Sequence, residues 1–266
     1  QNGEPRTGLS MGDHAAITAR EMKVSREAQD ELALASHQNL HKAWEEGFFT
    51  DLTTGFLGVN RDTNLRPDSS LESLAKLKPV FGKRDAEQHG AQATMTAGNS
   101  TPLTDGASVA LLSSEEWAAE HNIEPRAFLV DSETAAVDFV HGPDGLLMAP
   151  TYAVPRLLER NNLSLQDFDF YEIHEAFASQ VLATLSAWED ETYCRERLGL
   201  QSALGSIDRS KLNVKGSSLA AGHPFAATGT RILATTAKIL EENGGGRALI
   251  SICAAGGQGV AAIVER

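Results

Sequence analysis

The feature that most constrains this chain is the alternation of short apolar runs with amphipathic stretches from about residue 105 onward. ASVALL is followed by SSEEWAAEHN and then RAFLV. DFYEI leads into EAFASQVLATLSAW, and FAATGTRILATTAKILEEN precedes ALISIC and GVAAIVE. Strand and helix in this rhythm predict an α/β domain whose helices cover a sheet, with the last two runs as adjacent strands. Residues 1–104 differ in texture, being polar and turn-rich with helices set into them. There, SREAQDELALASHQNLHKAWEEG predicts a helix with Ser25 as N-cap and Gly47 just past its end. Its apolar stripe runs through Leu32, Ala35, Leu40, Ala43 and Trp44. SLESLAKL predicts a shorter helix with Ser69 and Glu72 at capping-box spacing.

Charge and cysteine content exclude several classes. A formal charge of −13 opposes affinity for nucleic-acid phosphates or anionic membranes, so no nucleic-acid partner is expected. No apolar run approaches the ~20 residues that span a bilayer. The two cysteines, Cys194 and Cys253, cannot build a disulfide framework; a reducing compartment, and hence a cytoplasmic location, is expected. The sequence opens at Gln1 without a signal-peptide pattern.

The polar residues at element boundaries carry the chemistry. His174 and Glu175 in YEIHEAFASQ open like the zinc motif H-E-x-x-H, but Ala178 stands where the second ligand belongs, so no metal site is expected. His174 falls where the DFYEI run yields to an expected helix. His223, in AAGHPFAATG, lies in a Gly-Pro turn before another helix. Cys253 ends ALISIC and is followed by the loop AAGGQG. α/β sheets place ligands at the carboxyl ends of strands, so two imidazoles and a thiol are expected to converge on one cleft. That set suits acid–base or covalent chemistry on a carbonyl compound. Each residue also has a plainer reading: a capping His, a core Cys, a tight turn.

Several stretches, in order, resemble the thiolase family. MGDHAAITAREMKVSREAQDELALASHQ is similar to the opening of the family's loop domain, and TAGNSTPLTDGASVALL to the return from it. YEIHEAFA resembles the family segment more often written N-E-A-F-A, with His first as in the fatty-acid-oxidation multienzyme-complex branch. NVKGSSLAAGHPFAATGTR and CAAGGQGVAAIVE resemble the two closing motifs. The resemblance implies an α/β thiolase fold, a layered α-β-α half-domain plus a helical loop domain, with the N-terminal half-domain absent. Residues 1–104 would be the loop domain, used for oligomerisation and coenzyme A contact. Residues 105–125 would end the N-terminal half, and 126–266 would form the C-terminal half.

The implied activity is acetyl-CoA C-acetyltransferase or 3-ketoacyl-CoA thiolase: reversible Claisen condensation or thiolytic cleavage. His223 would deprotonate the nucleophilic cysteine, Cys253 would move the proton at carbon, and His174 would donate to the oxyanion. The backbone N–H of Ala255 would serve a second oxyanion hole. Met11, Phe81, Ala97, Thr101 and Phe177 would line the pantetheine tunnel, and Arg66 would face the nucleotide. Thr101 replaces the family's frequent Ser, and Gly216-Ser217 replaces Gly-Gly, which questions backbone clearance there. No cofactor is implied, since coenzyme A is a substrate. The implied partners are acyl-CoA and coenzyme A, a homodimer or homotetramer, and a hydratase/dehydrogenase subunit. The family's nucleophilic cysteine lies before the region this sequence resembles, and Cys194 matches no family motif. A fragment of a longer thiolase is therefore expected, with a non-catalytic acyl-CoA-binding or scaffold subunit as the alternative. Ketoacyl synthases, the other class on this fold, would carry a second His where Cys253 stands.

Overall fold

A computed structural model describes residues 3–266; Gln1 lies outside them. Ten α-helices and four strands follow in chain order: α1 (Met11–Glu21), α2 (Arg26–Glu45), α3 (Leu71–Ala75), α4 (Lys83–Gln88), α5 (Glu115–Glu120), β1 (Phe128–Ala136), α6 (Pro150–Arg160), β2 (Phe170–Ile173), α7 (Ala178–Glu189), α8 (Glu191–Glu196), α9 (Ser218–Ala221), α10 (Thr228–Glu242), β3 (Arg247–Ala254) and β4 (Gln258–Glu265). The sheet order is β1-β4-β3-β2. β4 is antiparallel to both β1 and β3, whereas β2 and β3 run parallel, with Ile173 opposite Ser251. A parallel pair needs a long crossover, and α7 through α10 supply it.

Helices cover both faces of the sheet. Along β3 the side chains alternate. Leu249 packs with Val154 and Leu157 of α6 and with Val181, Leu185 and Trp188 of α7. Ala248 and Ile250 turn the other way, against Ile232 and Leu240 of α10. This period of two is what a strand buried on both sides requires. α7 is buried almost all round, from Ala178 to Trp188, because α1, α2, α6 and α8 all contact it.

The helix at Ser25 forms as expected: the Ser25 hydroxyl accepts from Ala28 N–H, and Gly47 past the end has φ +75°. Its buried face is rotated from the expected stripe. Ala35 is exposed, and Gln29, Asp30, Ala33, Ser36 and His37 are buried, since polar partners wait on that side. In SLESLAKL the cap is Ser70, paired with Ser73 rather than Ser69 with Glu72. ASVALL forms no strand: residues 107–112 are exposed, with Val109 89% exposed, and no strand among the described residues pairs with them. A strand-like pattern becomes a strand only where a neighbour takes its backbone hydrogen bonds. The helix expected from Glu175 starts three residues later, at Ala178, because His174 to Phe177 continue off β2 in non-helical form.

Candidate active site

The site is built where β2 ends, and Asn213 sets its shape. This residue holds φ +47°, a conformation asparagine tolerates better than most side chains. From there its amide reads both backbone groups of Ile173, accepting from N–H at 2.9 Å and donating to C=O at 2.9 Å. The same amide donates to Glu175 Oε1 at 2.8 Å. Glu175 Oε2 accepts from the Ser36 hydroxyl at 2.7 Å and from Leu219 N–H at 3.0 Å. One buried carboxylate thereby ties α2, the Asn213 turn and α9 to the segment carrying His174. Glu175 thus acts as a clamp, and the non-helical backbone of 174–177 denies the segment the one-faced spacing of a zinc helix.

His174 is 1% exposed, and its backbone N–H donates to Ser251 O at 2.9 Å, continuing the β2–β3 ladder. Its Nδ1 lies 2.8 Å from Ser218 Oγ, while Nε2 is buried with no protein partner. The His223 ring stands 4.3 Å away, centroid to centroid, tilted by 50°. His223 is held through its own N–H to Pro102 O (3.1 Å) and through Nδ1 to Thr228 Oγ1 (2.6 Å). The Thr228 hydroxyl itself donates to Pro224 O, so its oxygen accepts from His223 Nδ1–H and leaves Nε2 as a free base. Burial pulls both imidazoles below their usual pKa, and the Arg231 guanidinium adds to the effect; His174 is driven furthest. Both rings are therefore neutral near pH 7, one suited to donating without charge and the other to accepting a proton.

Cys253 lies on β3, two residues beyond Ser251, the residue that His174 N–H contacts. Its thiol sits in an apolar cluster with Ala15, Ala16, Met95, Leu146, Ala176 and Phe177, and burial pushes its pKa up to about 12. Met11 and Phe81 pack against this cluster, and the Phe81 and Phe177 rings meet edge to face at 5.9 Å. Of the expected tunnel residues, Phe177 thus belongs to the cluster that holds Cys253, and Met11 and Phe81 pack against that cluster. Thr101 joins from another side: its N–H donates to Ala176 O and its hydroxyl to Ser218 O at 2.7 Å. Ala97 is exposed at the start of a 3-10 turn, and Ala255 is exposed in the β3–β4 turn. Arg66 is exposed, its guanidinium folded back onto the carbonyls of Thr63 and Leu65. Cys194 is fully buried on α8, its thiol turned to the carbonyls of Ala187 and Trp188.

Ser217 fits its position. The left-handed residue is Gly216 (φ +76°), where a Cβ would fall 2.6 Å from Leu40 Cβ and from Ser36 O; Ser217 has φ −144°, open to any side chain.

Family models decide what this arrangement belongs to. The thiolase N-terminal domain model matches residues 4–116, and the thiolase C-terminal domain model matches residues 123–266. The chain belongs to the thiolase family. The N-terminal match counts against the expectation that, apart from residues 105–125, the N-terminal half-domain is absent, since that domain as the family model defines it takes in residues 4–116. Among curated thiolases, the 3-ketoacyl-CoA thiolase of Yersinia enterocolitica is 42% identical over 265 residues, covering 97% of this chain and 58% of that protein. The Yersinia pestis protein of the same name is 43% identical with the same coverage. This chain therefore spans 58% of the length of those relatives. Among solved structures, the Bacillus anthracis acetyl-CoA acetyltransferase superposes with a TM-score of 0.80 at 35% identity, covering 99% of this chain and 62% of that one. Human mitochondrial 3-ketoacyl-CoA thiolase in complex with CoA gives 0.80 at 32% identity, covering 99% and 60%.

Sequence reading missed the supports: Asn213, Ser218, Thr228 and Arg231. Asn213 and Ser218 lie inside NVKGSS, and Thr228 and Arg231 inside ATGTR, so the motifs flagged the segments but not the contacts.

Proposed function

We propose that this chain carries the base, the proton-transfer thiol and the oxyanion donors of an acyl-CoA C-acyltransferase acting on 3-ketoacyl-CoA. The observation that carries this reading is the pairing of two neutral imidazoles at 4.3 Å beside the strand that bears Cys253. In the cleavage direction, His223 Nε2 takes the proton of the nucleophilic cysteine, whose thiolate attacks the ketone carbon. The carbon–carbon bond breaks, and the enolate of the departing acyl-CoA gathers charge on its thioester oxygen. His174 Nε2–H, and in a second hole Ala255 N–H, meet such oxygens; one fixed donor of this kind is worth about 3–4 kcal/mol. Cys253 hands its proton to the enolate carbon. A thiol held protonated near neutral pH by burial suits that acid role. Condensation runs the same steps in reverse.

Met11, Phe81, Phe177, Ala97 and Thr101 would guide the pantetheine arm, and Arg66 would meet the nucleotide phosphates. The human relative's complex with CoA supports that ligand class. No cofactor is required by these steps. We place the nucleophile on a cysteine other than Cys194 or Cys253, and assign the whole protein to a cytoplasmic homodimer or homotetramer, with a hydratase/dehydrogenase subunit as its partner in fatty-acid oxidation.

A second reading, an acyl-CoA-binding or scaffold subunit without chemistry, is favoured by one observation: burial raises the pKa of both Cys194 and Cys253, and neither is an activated thiolate. Thiolysis of acetoacetyl-CoA by the complete protein separates the two. Turnover that falls at least 100-fold in His223→Ala supports the enzyme; CoA binding without turnover supports the scaffold.

A further inference from the structure

Behind the imidazole pair lies a polar path that the chemistry above does not use. Arg231, on the first turns of α10, directs its NH2 to Ser218 Oγ at 2.8 Å, and Ser218 Oγ lies 2.8 Å from His174 Nδ1. Ser218 is fully buried, and His174 Nε2 beyond it is buried without a partner. The Arg231 charge is coupled through the interior to Glu172, Glu175 and Asp62; Glu172, on β2, is itself fully buried. A helix that packs its apolar face on a sheet gains nothing from a half-buried guanidinium there unless the charge has a task.

We propose that Arg231 is a positioning residue that fixes the tautomer of His174: by donating to Ser218 Oγ it turns the Ser218 hydroxyl hydrogen onto His174 Nδ1, so that the ring keeps its proton on Nε2, aimed into the site.

The reasoning is an account of hydrogens. A guanidinium only donates, so Ser218 Oγ must accept from it. Were the imidazole protonated at Nδ1, Ser218 Oγ would accept a second time and its own hydrogen would be stranded in a buried place. Nε2 would then present a lone pair to any oxygen that gains negative charge, repelling it. With the proton on Nε2, the Arg231 hydrogen aimed at Ser218 Oγ and the Ser218 hydroxyl hydrogen both have acceptors, and the His174 hydrogen is left for the ligand. The positive charge adds to this bias, since it favours the Ser218 O–H dipole pointing away from Arg231 and so strengthens it as a donor. The inference rests on the proposed thiolase reading for the role of His174, but the tautomer is a property of the protein with no substrate present.

The test is nitrogen-15 NMR of histidine-labelled enzyme, in which two-bond proton–nitrogen couplings distinguish the two tautomers, with His174→Ala assigning the signal. Wild type is expected to show His174 protonated at Nε2 alone. In Arg231→Met the signal should move toward a mixture with the Nδ1–H form, and kcat for thiolysis should fall about 10- to 100-fold with KM changed less than about 3-fold. Arg231→Lys, which keeps a charged donor, should recover most of both. Should Arg231→Met fail to fold, Ser218→Ala cuts the same path and is expected to mix the tautomers in the same way. A wild-type His174 protonated at Nδ1, or a pure Nε2–H form that survives in both Arg231→Met and Ser218→Ala, overturns the proposal. Failure of the underlying reading looks different: His174→Ala would then leave thiolysis at the wild-type rate, whatever tautomer the wild-type ring adopts.

Discussion

Thr228 Oγ1 stands 2.6 Å from His223 Nδ1 and passes its own hydrogen to Pro224 O, so the turn before α10 orients the imidazole that faces His174. Removing the hydroxyl while keeping the shape isolates this contact. Thr228→Val should slow acylation of the complete enzyme about 10-fold, the worth of one hydrogen bond of ~1.4 kcal/mol, while leaving CoA affinity within about 2-fold. Pre-steady-state acylation and CoA binding measured on the same sample check this.

Asn213 makes three side-chain hydrogen bonds from a left-handed backbone. Asn213→Ala should lower stability to urea by about 3 kcal/mol or more, because buried partners on Ile173 and Glu175 lose their mates. Asn213→Gly loses the same bonds but tolerates φ +47°, and should be about 1 kcal/mol less damaging than Ala.

Glu172 gives a pH signature. Burial lifts its pKa from 4.5 to about 8, a nearby Glu175 adds to this, and Arg231 opposes it. A folded-state pKa above the unfolded one means the folded state holds the extra proton. The contribution is full below pH 4.5 and is lost as pH rises toward about 8. Across that window Glu172→Gln should gain on wild type by up to about 1.4 kcal/mol per pH unit. The neutral His174 and His223 act in the opposite sense, losing stability as pH falls below their unfolded value of 6.5, equally in both proteins. Paired urea melts at several pH values read the difference directly; parallel curves would mean that Glu172 keeps an ordinary pKa.

Cys194 should take no acyl group. Its thiol is fully buried, is bonded to the Ala187 and Trp188 carbonyls, and has its pKa raised by burial. Incubating residues 1–266 with acetyl-CoA and weighing the intact protein should show no stable adduct on it. An acetylated peptide containing Cys194 would mean the nucleophile has been misplaced.

Much of the fold is legible from periodicity, but only where a pattern and its partner both lie in the chain. ALISIC and GVAAIVE pair as β3 and β4 because each is the other's neighbour, whereas ASVALL has the same alternation and stays unpaired. α6 has no counterpart among the helices expected from periodicity, and Pro150 and Pro155 are residues that weaken a helical pattern. In fact Pro150 occupies the first position, where no N–H is needed, and Pro155 is accommodated within three turns. The candidate residues His174, His223 and Cys253 could be named from boundary positions and motif order. Their supports could not: Ser218 meets His174 across 44 residues and Asn213 meets Glu175 across 38, contacts that only the crossover between β2 and β3 creates. HEAFA read as a helix start for the same reason, since the pull of Asn213 on Ile173 that keeps it extended leaves no local trace.

Single-turnover kinetics of Cys253→Ser in the complete enzyme separate the two proton transfers on which the catalytic assignment rests. Serine keeps the shape of the site but is a far weaker acid and base toward carbon. His223 would still activate the nucleophile, so acylation by acetyl-CoA should stay within about 3-fold of wild type, while condensation and thiolysis fall by at least about 100-fold. Equal loss of acylation and condensation would contradict the division of labour between His223 and Cys253, and with it the reading of this site.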